Sequence, residues 1–480
     1  MANIKRNYFY NSLLTLSNYV FPLIVYPYVS RVLGVSNIGI CNFVDSVVHW
    51  FILFSMMGIS ILGNREMAAA GADRTRRSRA FSGLLTLNLI TTLLAAAALV
   101  GAIYLVPKFF LYRKMLWIGV LKLMSNFLCI EWYFVGTENF KYITGRTILV
   151  KTLYVVAVLV FVRKADDYPL YYLLTVLVVL ANALINITYA RHTVTYSLRG
   201  MDINTYVKPY LMLGLYMAMT ATYVTLNVMY LGFVSDTDQV GYYGTASKLY
   251  SIVIAFFSAF TGVMLPRMSS LLSENKEDEF RRMIAKSFDF LLTFSVPLVF
   301  FATMCAPEIV RIFAGEGYEG AIFPARLIMP LILIVGMEQI FVLQVLMPNR
   351  RDKAVFIGAC GGAVIGLTLT LTLVRPLQAV GSAIVWISSE LVVLAFAAYF
   401  AWKEDGIGLP WKELGRQVVS YLPALAVTVP VYHFLPAGMV RLGIISVWMG
   451  LYTAVTVLFV HKNEMVLAFL NSVFRRNNKG

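Results

Sequence analysis

The sequence has few charged residues and few of the residues that build disulfides and metal sites. Only 14% of its 480 residues are charged, and it contains four cysteines and four histidines. The cysteines lie far apart, in four different predicted helices, so they form neither a disulfide framework nor a metal-ligand set. No Walker-A loop occurs, which excludes ATP hydrolysis by this chain. The sequence therefore predicts a protein that is not an enzyme and that holds no cofactor or metal.

Long polar loops are also scarce, and long apolar runs take their place. Hydrophobic residues make up 59% of the chain, and the mean hydropathy is +0.73. Because a bilayer-spanning helix needs about 20 mostly apolar residues, the chain predicts an all-α integral membrane protein. About fourteen transmembrane helices are expected, at residues 10–31, 38–63, 80–106, 114–137, 144–163, 169–190, 208–234, 240–266, 286–306, 322–347, 354–375, 380–402, 416–435 and 441–461.

Basic residues outnumber acidic residues by 40 to 25, which gives a net charge of +15. The richest basic clusters all fall on loops of one side: Arg74/Arg76/Arg77/Arg79, Arg281/Arg282/Lys286 and Arg350/Arg351/Lys353. This positive-inside pattern predicts that both termini lie in the cytoplasm. The charge therefore indicates membrane topology and not nucleic-acid binding. Met1–Tyr10 has no cleavage site of small residues, so the first helix is expected to remain uncleaved.

The chain aligns with itself at an offset of 202 residues. Ile38–Ala69 matches Val240–Leu271 without a gap, so that Gly39 corresponds to Gly241 and Arg65 to Arg267. An even number of spans in each copy predicts a parallel repeat, with a pseudo-twofold axis along the membrane normal. We therefore expect two six-helix bundles, at residues 1–199 and 200–402.

Residues 403–480 have no counterpart in the first copy. They are expected to add helices 13 and 14 and an amphipathic basic tail. In the tail, Met465–Phe474 places its apolar residues on one face and is followed by Arg475 and Arg476. Such a helix suits the anionic inner leaflet of a membrane.

Ionisable side chains within the predicted spans point to a polar cavity, since each costs about 2.5–3.5 kcal/mol at mid-helix. On helix 8, Lys248 and Ser251 belong to a stripe of small and polar residues at helical spacing. The equivalent face of helix 2 carries His49, with Asp45 beside it. Two interpretations stay open for Asp45 and Lys248: an ion pair that holds one conformation closed, or direct contacts with a substrate or ion.

Helices 1 and 4 contribute further candidates. Lys122 and Asn126 share one face of helix 4, whereas Glu131 lies about half a turn away on a straight helix. We expect Lys122 and Asn126 to face the cavity and Glu131 to be a structural or gating ion-pair partner. Helix 1 adds Asn18 and, near its outer end, Arg31, whose planar guanidinium could attract an anion. The other acids expected to couple an ion or to gate are Asp45, Asp289, Glu338 and Glu390.

Four stretches are similar to one known family. They are Pro27-Tyr-Val-Ser-Arg31-Val-Leu-Gly34, Gly63-Asn-Arg65-Glu66-Met-Ala, Glu131-Trp-Tyr-Phe-Val-Gly-Thr-Glu138-Asn-Phe-Lys141-Tyr and Pro307-Glu-Ile-Val-Arg-Ile-Phe-Ala-Gly315. The chain thereby resembles the polysaccharide flippase (Wzx-type) branch of the multidrug/oligosaccharidyl-lipid/polysaccharide exporter superfamily.

The resemblance implies a flippase of the bacterial cytoplasmic (inner) membrane. Such a protein moves an undecaprenyl-diphosphate-linked oligosaccharide from the cytoplasmic to the outer leaflet by alternating access, for surface polysaccharide such as O-antigen or capsule. Because a buried diphosphate needs cationic partners, its expected contacts here are Lys248, Lys122 and then Arg31. The implied partners are the lipid-linked oligosaccharide and membrane lipids, with glycan polymerase and glycosyltransferases as further candidates.

Two alternatives remain open. A cation-coupled multidrug exporter of the same superfamily would make acids such as Asp45 and Glu338 essential. Helix 1, however, lacks the acidic cation site that is usual in the related drug exporters. A membrane scaffold of a glycan polymerase complex would have no transport activity of its own.

Overall fold

The computed structural model describes residues 2–71, 73–197, 203–436 and 438–461, and every regular element in them is helical. The α-helices are α1 Ala2–Met56, α2 Ile59–Ala70, α3 Arg74–Leu105, α4 Pro107–Leu111, α5 Arg113–Asn126, α6 Glu131–Gly136, α7 Phe140–Phe161, α8 Tyr168–Ala190, α9 Asn204–Ala221, α10 Asn227–Val234, α11 Thr237–Ser273, α12 Glu277–Met304, α13 Ala306–Ala314, α14 Ile322–Ile328, α15 Leu331–Gln339, α16 Asp352–Asp405, α17 Trp411–Phe434 and α18 Met439–Val455. Short π-helical segments occupy Thr222–Leu226, Ile340–Leu346 and Thr456–His461. The predicted tail helix Met465–Phe474 lies outside the described residues.

The predicted all-α membrane fold is confirmed. Within the described residues, eleven helices are long and apolar enough to cross a membrane, and the bent pair Asn204–Met219 and Val224–Val234 adds a twelfth candidate. Two of the eleven, Tyr10–Ala70 and Asp352–Asp405, have 61 and 54 residues, far more than one crossing needs.

Within them, α1 and α16 each contain one residue whose backbone is not helical, and Met57 with φ 39° separates α1 from α2. Gly34 has φ 75° and Gln378 has φ 52°. Both residues fall where the sequence predicts a connection between two separate spans. The number of fourteen crossings stays a prediction.

The chain divides into two compact units. The first comprises Met1–Gly244 and Gly366–Ser382, and the second comprises Thr245–Ile365 and Ala383–Gly480. These two units are defined by contacts between residues. The internal repeat instead defines the predicted bundles 1–199 and 200–402 and the addition 403–480. The boundaries drawn from the repeat stay a prediction.

Aromatic side chains fill one core of the first unit, where α2, α3 and α6 meet. The ring of Phe81 packs at 5.6 Å from the ring of Trp132 and at 5.4 Å from that of Tyr133. A Cβ atom on Gly63 of α2 would clash with the Trp132 ring. The glycine is therefore needed for α2 to lie against α6.

Helices α1 and α11 also meet within the first unit, along residues 35–42 and 237–244. A Cβ atom on Gly39 would clash with the carbonyl oxygen of Thr237, and one on Gly241 would lie 2.5 Å from the carbonyl oxygen of Val35. Both glycines are buried. We call this contact of residues 35–42 with residues 237–244 the repeat seam.

Residues in the repeat seam meet their own repeat equivalents. The hydroxyl of Ser36 donates to Asp238 Oδ1 at 2.5 Å, and Gly244 lies against the side chain of Asn42. In both pairs the residue numbers differ by the repeat offset, and the numbers rise together along the two helices. The helices therefore run in the same direction here, which is the local arrangement that a parallel repeat predicts.

In the second unit, α12 packs against α15, α17 and α18. A buried ion pair joins Arg441 of α18 to Glu308 of α13, and their side chains are 6% and 1% exposed. The Arg441 guanidinium also donates to the carbonyl oxygen of Tyr432 at 2.9 Å and lies over the Tyr432 ring, 4.2 Å from its centroid. These contacts hold α18 against both α13 and the end of α17.

Candidate functional site

Asp45 of α1 forms an ion pair with Lys122 of α5 in the first unit. The Asp45 side chain is 45% exposed although it lies two turns inside a predicted span. A half-exposed carboxylate at this depth requires water or a polar ligand beside it, because the hydrocarbon offers no partner. His49, one turn further along α1, is exposed as well. This face of the first unit is therefore a polar surface within the spans.

Glu131, the first residue of α6, forms an ion pair with Arg146 of α7, at 3.0 Å between Oε1 and a guanidinium nitrogen. Arg146 is 3% exposed and Glu131 is 58% exposed. Arg146 also donates to the hydroxyl of Thr147 at 3.0 Å and to the carbonyl oxygen of Asn182 at 3.4 Å. Glu131 is thus an ion-pair partner, and its gating role stays a prediction.

Sequence reasoning missed Arg146 as the partner. The available signal was its position just inside the predicted span 144–163, where a cation requires an acid or an aqueous surface. Which acid it meets depends on the packing of α7 against α6, and the sequence does not reveal that packing.

The sequence argument treated residues 114–137 as one straight helix, and this expectation is wrong. Helix α5 ends at Asn126, a 3-10 turn follows at Phe127–Cys129, and Ile130 adopts a left-handed conformation with φ 36° before α6 begins. The angle of half a turn between Lys122 and Glu131 therefore has no meaning in the folded protein. Neither glycine nor proline marks this break, and a β-branched residue at positive φ is a rare outlier.

The remaining candidates of the first unit are held by local contacts. The ammonium of Lys151 donates to the side-chain oxygen of Asn18 and lies 5.9 Å from the Phe21 ring centroid. Arg31 is exposed and donates to the carbonyl oxygen of Pro27 in its own helix. Asn126 is half-buried at the end of α5.

Three candidates of the second unit lie on α11 and α12. Lys248, Ser251 and Asp289 are all half-buried. The Ser251 hydroxyl donates to the carbonyl oxygen of Ser247 at 2.8 Å, whereas Lys248 and Asp289 both have interaction partners. The pair suggested between Asp45 and Lys248 stays a prediction, as do the substrate and ion roles of all these residues.

Glu338 and Glu390 come together in the second unit. Their side chains lie close enough to interact with each other. The indole nitrogen of Trp386 donates to Glu390 Oε1 at 3.0 Å. Two residues that the sequence marks only as separate acids therefore lie side by side, with Glu390 buried and Glu338 half-buried.

An apolar groove of about 590 Å³ lies between α11, α12 and α18 in the second unit. Its lining is aromatic and aliphatic, and includes Phe256, Phe294, Leu298, Phe301, Met449 and Gly450. Phe256 is among the exposed large side chains of the chain. The groove therefore offers an open apolar surface with the size of a ligand site.

Apolar helices long enough to cross a bilayer, with charged pairs within them, define a multi-pass membrane protein. Residues 4–272 match the model of the family described as polysaccharide biosynthesis protein. The chain belongs to this family, and the predicted resemblance to the polysaccharide flippase branch of the exporter superfamily is confirmed.

Two relatives carry the printed name "Putative O-antigen transporter". The protein from Escherichia coli (strain K12) is 23% identical over 83% of this chain and 96% of its own length. The protein from Shigella dysenteriae is 22% identical over 82% of this chain and 98% of its own length. Both relatives are named as transporters, in agreement with the prediction that this chain is not an enzyme.

Solved structures show the same fold at low sequence identity. The lipid II flippase MurJ, in an inward closed conformation, superposes with a TM-score of 0.77 at 13% identity, covering 97% of this chain and all of MurJ. An inward-facing multidrug resistance transporter of the MATE family gives a TM-score of 0.60 at 13% identity, covering 80% of this chain and 93% of its own.

Proposed function

We propose that this protein moves an undecaprenyl-diphosphate-linked oligosaccharide from the cytoplasmic to the outer leaflet of the bacterial inner membrane by alternating access. Membership of the polysaccharide biosynthesis family carries the proposal. The names of the relatives support the substrate class, since both are called O-antigen transporters. The translocated lipid-linked oligosaccharide would serve the synthesis of a surface polysaccharide.

The cationic residues of the first unit would bind the sugar-diphosphate head. A diphosphate cannot enter hydrocarbon without partners for its charges. Lys122 is paired with Asp45, so phosphate oxygens would compete with Asp45 for its ammonium. Lys248 and Arg31 are the further cationic contacts that we propose, with Asn18, His49, Asn126 and Ser251 as hydrogen-bonding contacts for the sugars.

The lipid tail would lie in the apolar groove between α11, α12 and α18. Removing a CH₂ group from water stabilises binding by about 0.8 kcal/mol, but a polyprenyl chain already lies in lipid and gains little of this. The groove would therefore orient the tail and not provide much of the affinity. Its aromatic and aliphatic lining supports this role.

The experiment is restoration of surface glycan in cells that lack their own flippase. We expect the wild-type protein to restore export and Lys122→Gln to lose most of it. Lys114→Gln is the matched control, because Lys114 is an exposed lysine of the same helix α5. Equal export by both variants would exclude Lys122 from the substrate site.

The same cells distinguish the alternatives. Efflux of cationic dyes without glycan export would indicate a multidrug exporter. Restoration of surface glycan by a variant of Lys122, Lys248 or Arg31 that has lost substrate transport would indicate a scaffold. Co-purification with glycan polymerase or glycosyltransferases would test the proposed partners.

A further inference from the structure

A polar cavity of about 350 Å³ lies beside the first turns of α3 in the first unit. Among the described residues, only arginine, serine and threonine line it. Five of these residues belong to α3 and share one side of the helix, because they form two neighbouring rows in which successive residues are four apart. We call them the arginine–hydroxyl face: Arg74, Thr75, Ser78, Arg79 and Ser82. None of them is among the proposed substrate contacts.

The two arginines of this face have no acidic partner within the described part of the chain, and no acid lines the cavity there. The acid next to them in sequence, Asp73, accepts instead from the backbone N–H groups of Thr75 and Arg76, at 2.9 and 3.1 Å. This carboxylate therefore caps α3, and a ligand in the cavity would be bound by side chains. Because two cations repel each other, an anion between Arg74 and Arg79 would be favourable.

Two serine hydroxyls in the cavity each have an unused donor. Ser78 accepts from the backbone N–H of Thr195 at 3.1 Å, and Ser82 accepts from that of Ser197 at 3.0 Å. A hydroxyl also carries one hydrogen to donate, and no acceptor of the described residues takes the hydrogen of either serine. Ser82 is only 1% exposed. Since buried polar groups normally find partners, this donor indicates that the cavity holds an acceptor.

The chemistry of the lining selects the ligand. A guanidinium group binds phosphate through two parallel hydrogen bonds, and the hydroxyls add further donors around the same space. A phosphate group offers several acceptor oxygens to such a set, whereas a carboxylate offers two. The volume is at the lower end for a ligand pocket, so that it suits a small phosphate-bearing group and not a glycan.

Membrane topology alone does not explain this arrangement. The positive-inside pattern requires basic residues at this end of α3, but it does not require them to surround a cavity. Arg76 is exposed and does not line the cavity, and Arg77 donates to the carbonyl oxygen of Gly71. Only two of the four clustered arginines therefore belong to the arginine–hydroxyl face.

We propose that the arginine–hydroxyl face binds a phosphate group on the side of the membrane that the positive-inside pattern places in the cytoplasm. The phosphate belongs either to a small soluble ester or to the headgroup of a phospholipid, since both present the same oxygens. Thr195 and Ser197 line the cavity from the segment after α8. A bound phosphate would thereby join α3 to this segment. The site does not depend on the proposed function, because it is argued from the cavity alone.

The first test is calorimetric titration of the purified full chain, in an uncharged detergent, with inorganic phosphate. We expect Arg79→Gln to weaken binding by about tenfold or more, because it removes a hydrogen bond between charged groups. Arg76→Gln is the matched control, since it removes the same charge from the same turn of α3 and leaves the cavity intact. Both variants should melt near the wild-type temperature, because both side chains are exposed.

The second test distinguishes the source of the phosphate. Native mass spectrometry counts the phosphatidylglycerol molecules that the full chain retains. A lipid site predicts that Arg79→Gln retains one molecule fewer than the wild type and Arg76→Gln. A site for a soluble ester predicts equal retention together with Arg79-dependent binding of inorganic phosphate. Binding of neither ligand, or equal losses in the Arg76 and Arg79 variants, would overturn the site.

Hydrogen exchange of the same protein tests the connection to the segment after α8. We expect the bound ligand to slow exchange at the amides of Thr195 and Ser197 in the wild type and in Arg76→Gln, but not in Arg79→Gln. Ligand binding that depends on Arg79 and leaves this exchange unchanged would overturn the connection. None of these measurements requires a glycan, so that their failure is distinct from a failure of the proposed transport.

Discussion

Burial is divided unequally between the two partners of the Glu131–Arg146 ion pair. Arg146 is almost completely buried, whereas more than half of the Glu131 side chain is exposed. Neutralising Glu131 therefore leaves the buried guanidinium of Arg146 with only neutral hydrogen-bond acceptors. Neutralising Arg146 leaves a carboxylate that water can still reach.

We predict that Glu131→Gln destabilises the protein at least as much as Arg146→Gln does, by about 1.5–3 kcal/mol for a hydrogen bond to a charged group. The measurement is the melting temperature of both variants in detergent. The double variant should melt close to the single variants, because the two side chains act as one interaction. Strictly additive losses would contradict the pairing.

The Asp45–Lys122 pair permits a test that separates stability from substrate binding. Exchanging the charges, as Asp45→Lys with Lys122→Asp, keeps an ion pair at the same place. We expect the exchanged protein to fold with a melting temperature near that of the wild type and to lose glycan export, because the ammonium has moved to another helix. Export at the wild-type level would mean that the pair is only structural.

At the scale of single helices, the repeat seam depends on the absence of side chains at two glycines. A Cβ atom on Gly241 would meet the backbone of Val35, and backbone cannot move away as a flexible side chain can. Close approach of helices through small residues is a common means of packing within membranes.

We therefore predict that Gly241→Val abolishes export and lowers the melting temperature. Gly262→Val on the same helix is the control, because a Cβ atom there meets nothing within 4 Å. Gly39→Val should repeat the effect of Gly241→Val. Equal behaviour of the Gly241 and Gly262 variants would show that the contact does not limit the fold.

The buried Arg441–Glu308 pair gives a prediction for the C-terminal helices. Arg441→Met leaves Glu308 buried without its cation, which costs about 3–5 kcal/mol. Replacing both residues, as Glu308→Leu with Arg441→Met, removes the uncompensated charge. We expect the double variant to melt at a higher temperature than the single variant, as measured in detergent. A lower melting temperature for the double variant would contradict this account.

The helices were predictable from the sequence because an apolar run in a bilayer can satisfy its backbone only as a helix or within a closed barrel. The break between α5 and α6 was not predictable, since a buried isoleucine occupies the position where glycine is usual. The candidate charged residues were identified from the sequence because a charge within a membrane span costs free energy. Their partners were not, because Asp45 meets Lys122 and Glu338 meets Glu390 only after the helices have packed.

At the scale of the whole molecule, the orientation of the chain is the main expectation that remains to be measured. Asn275 and Glu316 are exposed residues in the connections before α12 and after α13. The positive-inside pattern places Asn275 in the cytoplasm and Glu316 outside.

We predict that an impermeant thiol reagent added to intact cells labels Glu316→Cys and not Asn275→Cys. After the cells are opened, both variants should be labelled. The native cysteines are replaced by serine in both variants, so that only the introduced thiol reacts. The reverse pattern would place both termini outside.

The repeat seam also bears on the ancestry of the chain. Contacts between equivalent residues are the mark of a symmetric homodimer, in which one patch of surface meets its own copy. In a chain that arose by duplication and fusion of a half-length gene, the residues now numbered 36 and 238 would have been a single position facing itself. A mutation there would have changed both partners at once. Fusion would have freed the two copies to diverge, and a serine now faces an aspartate in this contact.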